Sequence, residues 1–442
     1  MYCLADCNNF FASCERLYDP SLNGKPVVVL SNNDGCVIAR SNEAKAMGIP
    51  MGCPAFKIKE YVGNANLASI VQLSARHTLY HDISLRIMAL LGKACEQLEV
   101  YSVDEAFFRP PYDNDEQNRI FLLDLVAKIQ QYIGIPVSIG FAPTRTLAKI
   151  ASRIAKKNPT TTQGVYGLTD DIAIAAALAH TDISDVWGIG RRLTDALRNR
   201  GVTTAAQFVE YPNDLIRSLF NITVARTHLE LKGIDATSIS PVTIAHKSIM
   251  NSRTFGHIIT KRSEVQAAVV NFAEHCAKQL RSEGSVASTV MVYLRGDRFR
   301  EDIPYYANSC HVNLITPSSS GIIIVKYALQ AFACIFKEGF AYRKAGVALL
   351  NIKPAADVQL NIFDDTDHNK QNRLMNAIDR INSRYTTQAI KIASTTGANE
   401  WKPQQKHINE SESPVLHIYS GMVVSSKKKI KIICQIHNIS LT

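Results

Sequence analysis

The stretch Tyr101-Ser102-Val103-Asp104-Glu105-Ala106-Phe107 decides how this chain reads. Asp104 and Glu105 are adjacent, with apolar or aromatic residues two or three positions away on both sides. Before them, Leu98, Val100 and Ser102 alternate with Glu99 and Tyr101, the period of a strand. After them, Ala106-Phe107-Phe108 begins a returning strand. Two neighbouring acids at the tip of a buried hairpin are costly unless a positive charge meets them. A divalent cation such as Mg²⁺ suits hard oxygen donors of this kind. The competing reading is a solvated Asp-Glu turn, because Asp favours turns.

A third acid bears on the choice. The chain opens Met1-Tyr2-Cys3-Leu4-Ala5-Asp6-Cys7-Asn8-Asn9-Phe10-Phe11, an apolar run that meets one Asp. That pattern predicts a buried central strand with a carboxylate at its C-terminal end. Asp6 with the Asp104–Glu105 pair could seat two metals about 3.5–4 Å apart, an arrangement that serves in-line phosphoryl transfer.

The 442 residues are 46% hydrophobic, ample for several cores. Length alone suggests about three domains. A net charge of +10 favours a polyanionic partner, nucleic acid or an acidic membrane surface. No uninterrupted apolar run reaches about 18 residues, so no bilayer span is expected. The first residues lack a basic flank and meet Asp6, unlike a signal peptide, which points to the cytoplasm. Ten scattered cysteines without a Cys-x-x-Cys pair argue against a zinc site or a disulfide framework. Cys3, Cys7, Cys36 and Cys276 read as small buried hydrophobes.

Taken in order, residues 1–6 predict a strand, 11–17 a short helix, 25–30 a strand, 31–35 a turn, 36–39 a second strand and 42–47 a helix closed by Gly48. Residues 11–75 therefore read as an α+β insertion. A long amphipathic helix is expected from Val71 to Leu98, leading into the acid hairpin. A helix over 118–133, a strand over 136–140 and a helix over 144–156 capped by Thr144 follow. This is the order of a split-βαβ, ferredoxin-like sheet. Its topology brings the end of the first strand beside the hairpin tip, where Asp6 can meet Asp104 and Glu105.

Residues 168–232 read as small and all-helical. Within them, Val186-Trp187-Gly188-Ile189-Gly190-Arg191-Arg192-Leu193 predicts a glycine turn opening a helix. Glycines there let a nucleic-acid backbone approach free amides, and Arg191, Arg192, Arg198 and Arg200 add charge. The pattern resembles a helix–hairpin–helix; the competing reading is an ordinary turn after a helix. A linker follows, and residues 243–353 repeat a βαββαβ rhythm that reads as a second ferredoxin-like module. Its Lys247, Arg253, Lys261, Arg262, Arg295 and Arg298 are candidates for gripping DNA. Beyond Lys353 periodicity fades. Gln359-Leu360-Asn361-Ile362-Phe363 stands in a polar surround, as suits docking into a partner's groove. The last thirty or so residues, with Lys427-Lys428-Lys429, read as a disordered tail attracted to nucleic acid.

Four runs together resemble the Y-family translesion DNA polymerases, and among them the UmuC-like branch. They are Asp6-Cys7-Asn8-Asn9-Phe10-Phe11-Ala12-Ser13-Cys14-Glu15, Ser31-Asn32-Asn33-Asp34-Gly35-Cys36-Val37-Ile38-Ala39-Arg40, the acid hairpin and Val186-Trp187-Gly188-Ile189-Gly190. The resemblance implies an α+β right-hand fold: palm at 1–10 and 76–165, fingers at 11–75, thumb at 166–232, a linker at 233–242, little finger at 243–353 and a tail at 354–442. It implies two Mg²⁺ ions on Asp6, Asp104, Glu105 and the Cys7 carbonyl. It assigns nucleotide contacts to Asn9, Phe10, Phe11, Arg40, Asn42, Lys45 and Lys156, with Lys157 an adjacent rival. Phe11 would be the steric gate against a ribose 2′-hydroxyl. Gly188, Gly190, Arg191 and Arg253 would hold DNA, and Gln359, Leu360, Ile362 and Phe363 a sliding clamp. Asn42 and Lys45 depart from the Tyr and Arg of other branches, and Lys lacks a bidentate guanidinium fork. Arg384-Tyr385-Thr386-Thr387 resembles the family's C-terminal region.

The implied activity is error-prone, template-directed DNA synthesis past damaged bases in a bacterial SOS response. The implied partners are primer-template DNA, deoxynucleoside triphosphates, the clamp, a processed UmuD-like dimer and a RecA-type recombinase filament, with no membrane. Two rival readings compete with it: a nucleotidyl cyclase on a similar palm, and a non-catalytic DNA-binding scaffold. The helix–hairpin–helix and clamp peptide argue against the first, and the complete set of three acids against the second.

Overall fold

The computed structural model of the chain describes residues 1–237, 246–359, 361–385, 389–392 and 401–409. Their contacts divide them into two compact units. The first comprises the described residues of Met1–Ser31, Gly35–Thr243 and His407–Thr442; the second comprises those of Asn32–Asp34 and Ile244–Lys406. Part of the expected linker, Leu360, Thr386, Thr387 and the Lys427-Lys428-Lys429 tail lie outside the described residues.

The first unit carries β1 (Tyr2–Cys7), β2 (Val27–Leu30), β3 (Val37–Arg40), β4 (Val71–Ser74), β5 (Leu98–Val100), β6 (Glu105–Phe108), β7 (Val137–Ala142) and β8 (Val165–Gly167). They form a five-stranded sheet, β5-β6-β1-β7-β8, and a three-stranded sheet, β3-β2-β4. β1 lies between β6 and β7, antiparallel to both, as the split-βαβ reading requires. β8 adds an edge strand parallel to β7 that the sequence reading did not anticipate.

Alternation along β1 sorts its side chains between two cores. Cys3, Ala5 and Cys7 face helices His77–Ala94 and Asp115–Tyr132, packing with Ile83, Ile87, Leu122 and Leu125. Tyr2 and Leu4 face the other way, toward helix Arg145–Lys157, with Phe107 of β6. Asp6 and Glu105 follow this second set by the period of two. The helix lies directly on β7 because Gly140 has no side chain. A Cβ there would stand 2.0 Å from Ser152 N and 2.3 Å from the Ala148 carbonyl oxygen.

The expected helix from Val71 to Leu98 is corrected. Val71–Ser74 is β4, paired in parallel with β2, the helix runs only His77–Ala94, and Leu98–Val100 is β5. Val71 and Leu73 alternate with polar neighbours, and β2 offers them a ladder; that pairing outweighs helical periodicity. Residues 171–231 are helical as expected.

The second unit carries β9 (Ser248–Ile259), β10 (Ser285–Arg295), β11 (Ala307–Ser318) and β12 (Tyr342–Pro354), ordered β11-β10-β12-β9 and antiparallel throughout. Helices Arg262–Ser282 and Gly321–Ile335 cover one face. The βαββαβ rhythm is as read, but the order is not ferredoxin-like. Here the second and fourth strands are central, whereas the other sheet centres its first and third. Burial explains it: Ala345 to Leu349 of β12 are buried without a break, while β9 buries only Ile249, Phe255 and Ile259. A continuous apolar run fits a central strand, and a mostly polar one an edge.

Regular structure does not end at Lys353. Helix His368–Arg384 docks on the second unit, with Arg281 donating to both Asp379 oxygens at 2.6 and 2.8 Å and Met375 buried. Trp401 is also buried, its ring edge-on to Phe272 at 5.2 Å. Few apolar residues mark this helix, and its docking ion pair leaves no periodic signature.

Candidate active site

Register gathers the acids. Asp6 and Glu105 are direct cross-strand partners, and the Cys7 amide donates to the Asp104 carbonyl at 2.9 Å. The Ser102 hydroxyl donates to Asp104 Oδ1 at 2.6 Å and accepts from the amides of Asp104 and Glu105 at 3.3 and 3.0 Å. This small turn sets the two acids at the hairpin tip.

Helix Arg145–Lys157 supplies the counter-charges. Lys149 and Lys156 are seven residues apart, hence on one helical face. Lys156 Nζ donates to Asp6 Oδ1 at 2.7 Å, and Lys149 Nζ to both Glu105 oxygens at 2.8 and 2.9 Å. Burial pushes the Asp104 carboxyl up, the Ser102 bond offsets this, and the charge of Asp6 adds to the rise. Burial likewise raises Glu105 against the opposing pull of Lys149. In charge and donor type the three acids suit hard divalent ions. Among the described residues, no three His, Cys, Asp or Glu side chains stand as a set that could hold a metal ion. As they lie, Asp6 and Glu105 hold ammonium groups.

Beside them opens a cleft of about 210 Å³ lined by Cys7, Asn9, Phe10, Phe11, Ile38, Ala39, Arg40, Lys45, Met51, Asp104 and Lys156. It draws together eight of the residues singled out in the sequence. Asn9 sits in the left-handed region, at φ 51°, at the start of helix Phe10–Tyr18. Asn tolerates that conformation better than most residues. Its side chain donates to Asn42 at 2.9 Å and accepts from Lys45 Nζ. Arg40 donates to the Ile49 carbonyl. Burial lowers the Lys45 ammonium, and the charges of Lys156 and Arg40 lower it further. Three cations crowded on one cleft make an anion site. Lys156 reaches it; the rival Lys157 lines a different cleft.

Three residues that the sequence reading left without a role hold Phe11. Glu15 is fully buried; it accepts from Arg76 Nε at 3.0 Å, from Arg76 Nη2, and from the Tyr80 hydroxyl at 2.6 Å. Tyr80 in turn stacks under Phe11. The signal was Glu15 itself, a charge four residues after Phe11 on a buried helix face, which demands a partner.

The glycine turn takes the expected form. Gly188 has φ +88°, and Gly190 caps helix Arg191–Arg198 with open space where a Cβ would be. Arg191 and Arg192 are exposed in its first turn, while Arg198 is paired with Asp182 at 2.9 Å. Trp187 turns inward, its indole N–H donating to the Tyr101 hydroxyl at 3.2 Å.

In the second unit, Arg253 shares the strand face of Ile249 and Phe255, the helix-covered side. Arg295 and Lys344 are cross-strand partners on the open face. Arg262 lies over Phe332 and Phe336. Gln359 is exposed, and Ile362 and Phe363 are 89% and 81% exposed, with Asn361 accepting from the Phe363 amide at 3.0 Å.

Comparison with known proteins places this geometry. The impB/mucB/samB family matches residues 5–153, its C-terminal domain matches 246–362, and a domain of unknown function matches 372–411. Protein UmuC of Salmonella typhimurium is 35% identical over 411 residues, covering 92% of this chain and 97% of that protein. DNA polymerase IV of Pelotomaculum thermopropionicum is 26% identical over 402 residues, covering 88% and 93%. In fold, the chain is similar to the Y-family DNA polymerase chimera Dbh-Dpo4(243-245)-Dbh, with a TM-score of 0.61, 20% identity, and coverage of 81% of this chain and 99% of that one. With the fold shared with that Y-family polymerase and UmuC matched along nearly its whole length, the chain belongs to the impB/mucB/samB family.

Proposed function

We propose that the chain extends a primer by template-directed, error-prone synthesis and copies past damaged bases. The observation that carries this is the cleft in which Phe11, Arg40, Lys45 and Lys156 meet Asp104, one strand position from Asp6. Arg40, Lys45 and Lys156 bind the triphosphate, with Asn9 and Asn42 orienting Lys45. The Phe11 ring fills the space of a 2′-hydroxyl and rejects ribonucleotides by clash. Phe10 supports that wall. Asp6, Asp104, Glu105 and the Cys7 carbonyl would hold two Mg²⁺ ions. Bound there, such ions would supply Lewis-acid chemistry, lowering the pKa of the primer 3′-hydroxyl and offsetting the charge of the leaving pyrophosphate. The 3′-oxygen gives up its proton to solvent and bonds to the α-phosphorus as the bond from that phosphorus to the oxygen bridging to the β-phosphate breaks, and pyrophosphate leaves with that electron pair.

We assign the palm to 1–10 and 76–167, since β8 pairs with β7 and carries the palm two residues past the expected bound, and keep fingers, thumb and little finger otherwise as read from the sequence. Gly188, Gly190 and Arg191 hold the DNA backbone, giving sequence-independent, salt-sensitive grip. On the second unit the open-face Arg295 and Lys344 are better aimed at DNA than Arg253. Gln359, Leu360, Ile362 and Phe363 dock on a sliding clamp. A processed UmuD-like dimer and a RecA-type filament complete an SOS-response assembly in the bacterial cytoplasm. Among the described residues no helix is long and apolar enough to cross a membrane.

The test is primer extension on intact and lesion-bearing templates in Mg²⁺, with clamp, dimer and filament supplied. The wild-type chain should extend both templates, and Asp104→Ala neither. Equal extension by the two chains, or none by either, overturns the reading.

A further inference from the structure

Lys149 lies outside the nucleotide cleft, yet no cation of the acid set is more tightly tied. Besides its two bonds to Glu105, its ammonium lies 5.3 Å from the centre of the Tyr101 ring and 5.7 Å from that of Trp187. Those rings meet edge-on at 5.4 Å and share the indole hydrogen bond. Tyr101 opens the acid hairpin, and Trp187 opens the glycine turn. Lys149 thus holds the carboxylate while already bordering an aromatic pair that attracts cations and could take it further once the carboxylate lets go. Arg145, one turn earlier, cannot trade places with it. Arg145 is buried, bonded to Glu99 at 2.7 Å and stacked 4.2 Å over Phe107.

We propose that Lys149 is a positioning residue that reserves Glu105. It neutralises the carboxylate before a divalent ion arrives and competes with that ion for the same oxygens. It yields by shifting onto the Tyr101–Trp187 face, so that ion binding is felt at the glycine turn. The proposal rests on the two-metal reading of the acids. An ammonium and a divalent ion cannot both take the same pair of oxygens, so removing the ammonium strengthens intrinsic ion binding. It also leaves a buried carboxylate without its partner in the ion-free chain.

The experiment is Mn²⁺ binding to the full chain, without DNA or nucleotide, followed by electron paramagnetic resonance. Lys149→Met and Lys149→Gln should bind Mn²⁺ about tenfold tighter than wild type, as expected for lost competition. Lys149→Arg should restore wild-type affinity. Mg²⁺ should change tryptophan fluorescence in wild type, because the cation nears the Trp187 indole, and this change should vanish in Lys149→Met. Wild-type affinity in both charge-removing variants, or an undiminished fluorescence change, overturns the proposal while leaving the metal reading intact. A wild-type chain that binds no Mn²⁺ overturns both.

Discussion

Phe11 lies face to face on Tyr80, ring centroids 4.4 Å apart and planes 16° from parallel. The Tyr80 hydroxyl is committed to Glu15, which Arg76 holds from the other side. Phe11, the proposed gate, therefore rests on a tyrosine clamped by a buried ion pair. Tyr80→Phe removes one hydrogen bond to a charged group, about 1.5–3 kcal/mol of stability. It should also lower discrimination between deoxy- and ribonucleotides severalfold, read as the ratio of kcat/KM values. Phe11→Ala should lower it further. Unchanged discrimination in Tyr80→Phe would show that the Tyr80–Glu15 hydrogen bond does not set the position of Phe11.

Glu15→Ala leaves the Arg76 guanidinium, itself mostly buried, without its carboxylate. Stability should fall by about 3–5 kcal/mol in urea unfolding, the usual cost of breaking a buried pair. Burial already holds the Tyr80 hydroxyl far above its ordinary value, with the charge of Glu15 adding to the rise. That ring stays neutral throughout, and the loss should be flat between mildly acidic and mildly basic pH.

The two glycines of the turn should separate folding from binding. Gly188 has φ +88°, so Gly188→Ala should cost about 1 kcal/mol. Gly190 has φ −84° and open space around it, so Gly190→Ala should melt like wild type. Its methyl group would still stand between the helix amides and a DNA backbone, and affinity for primer-template should drop in a fluorescence-anisotropy titration. Equal affinity for the Gly190→Ala and wild-type chains would remove this turn from the DNA-binding surface.

Ile362 and Phe363 expose nearly all of their surface, so replacing both with Ala should leave thermal unfolding unchanged. Clamp binding, followed by surface plasmon resonance, should be lost. Extension on short templates without clamp should be preserved. Retained clamp binding would assign the peptide another role.

His228 offers a pH signature away from the acids. It is buried against Phe208 and bonded to Asn213, and burial holds its imidazole below the ordinary value, Lys232 adding to the effect. A lowered folded value means that protonation favours the unfolded chain. The stability is present in full above the ordinary imidazole range near 6.5, and is lost as pH falls through the depressed folded value. The urea midpoint should therefore fall as pH drops below the ordinary imidazole value of 6.5. His228→Gln should flatten that decline; an equally steep decline in the variant would assign it to other groups.

Much of the site could be read along the chain because its signals are local. Period-two alternation places Asp6 at the end of a buried strand, and Asp104-Glu105 at a hairpin tip. A split-βαβ order is enough to bring them together. The folded chain alone decided which cations answer those acids. Lys149 and Lys156 matter because Gly140 lets their helix lie on the β7 backbone and turn one face to Asp6 and Glu105. The same holds for Glu15, Arg76 and Tyr80, which lie up to 65 residues apart and meet only through packing. Val71–Ser74 became a strand because β2 offered a ladder, and β12 took the centre of its sheet because its buried run is the longest. Alternation and turn chemistry act between neighbours in the chain, so they survive in the letters. Ion pairs, strand order and close approach act between distant segments, and exist only once the chain has folded.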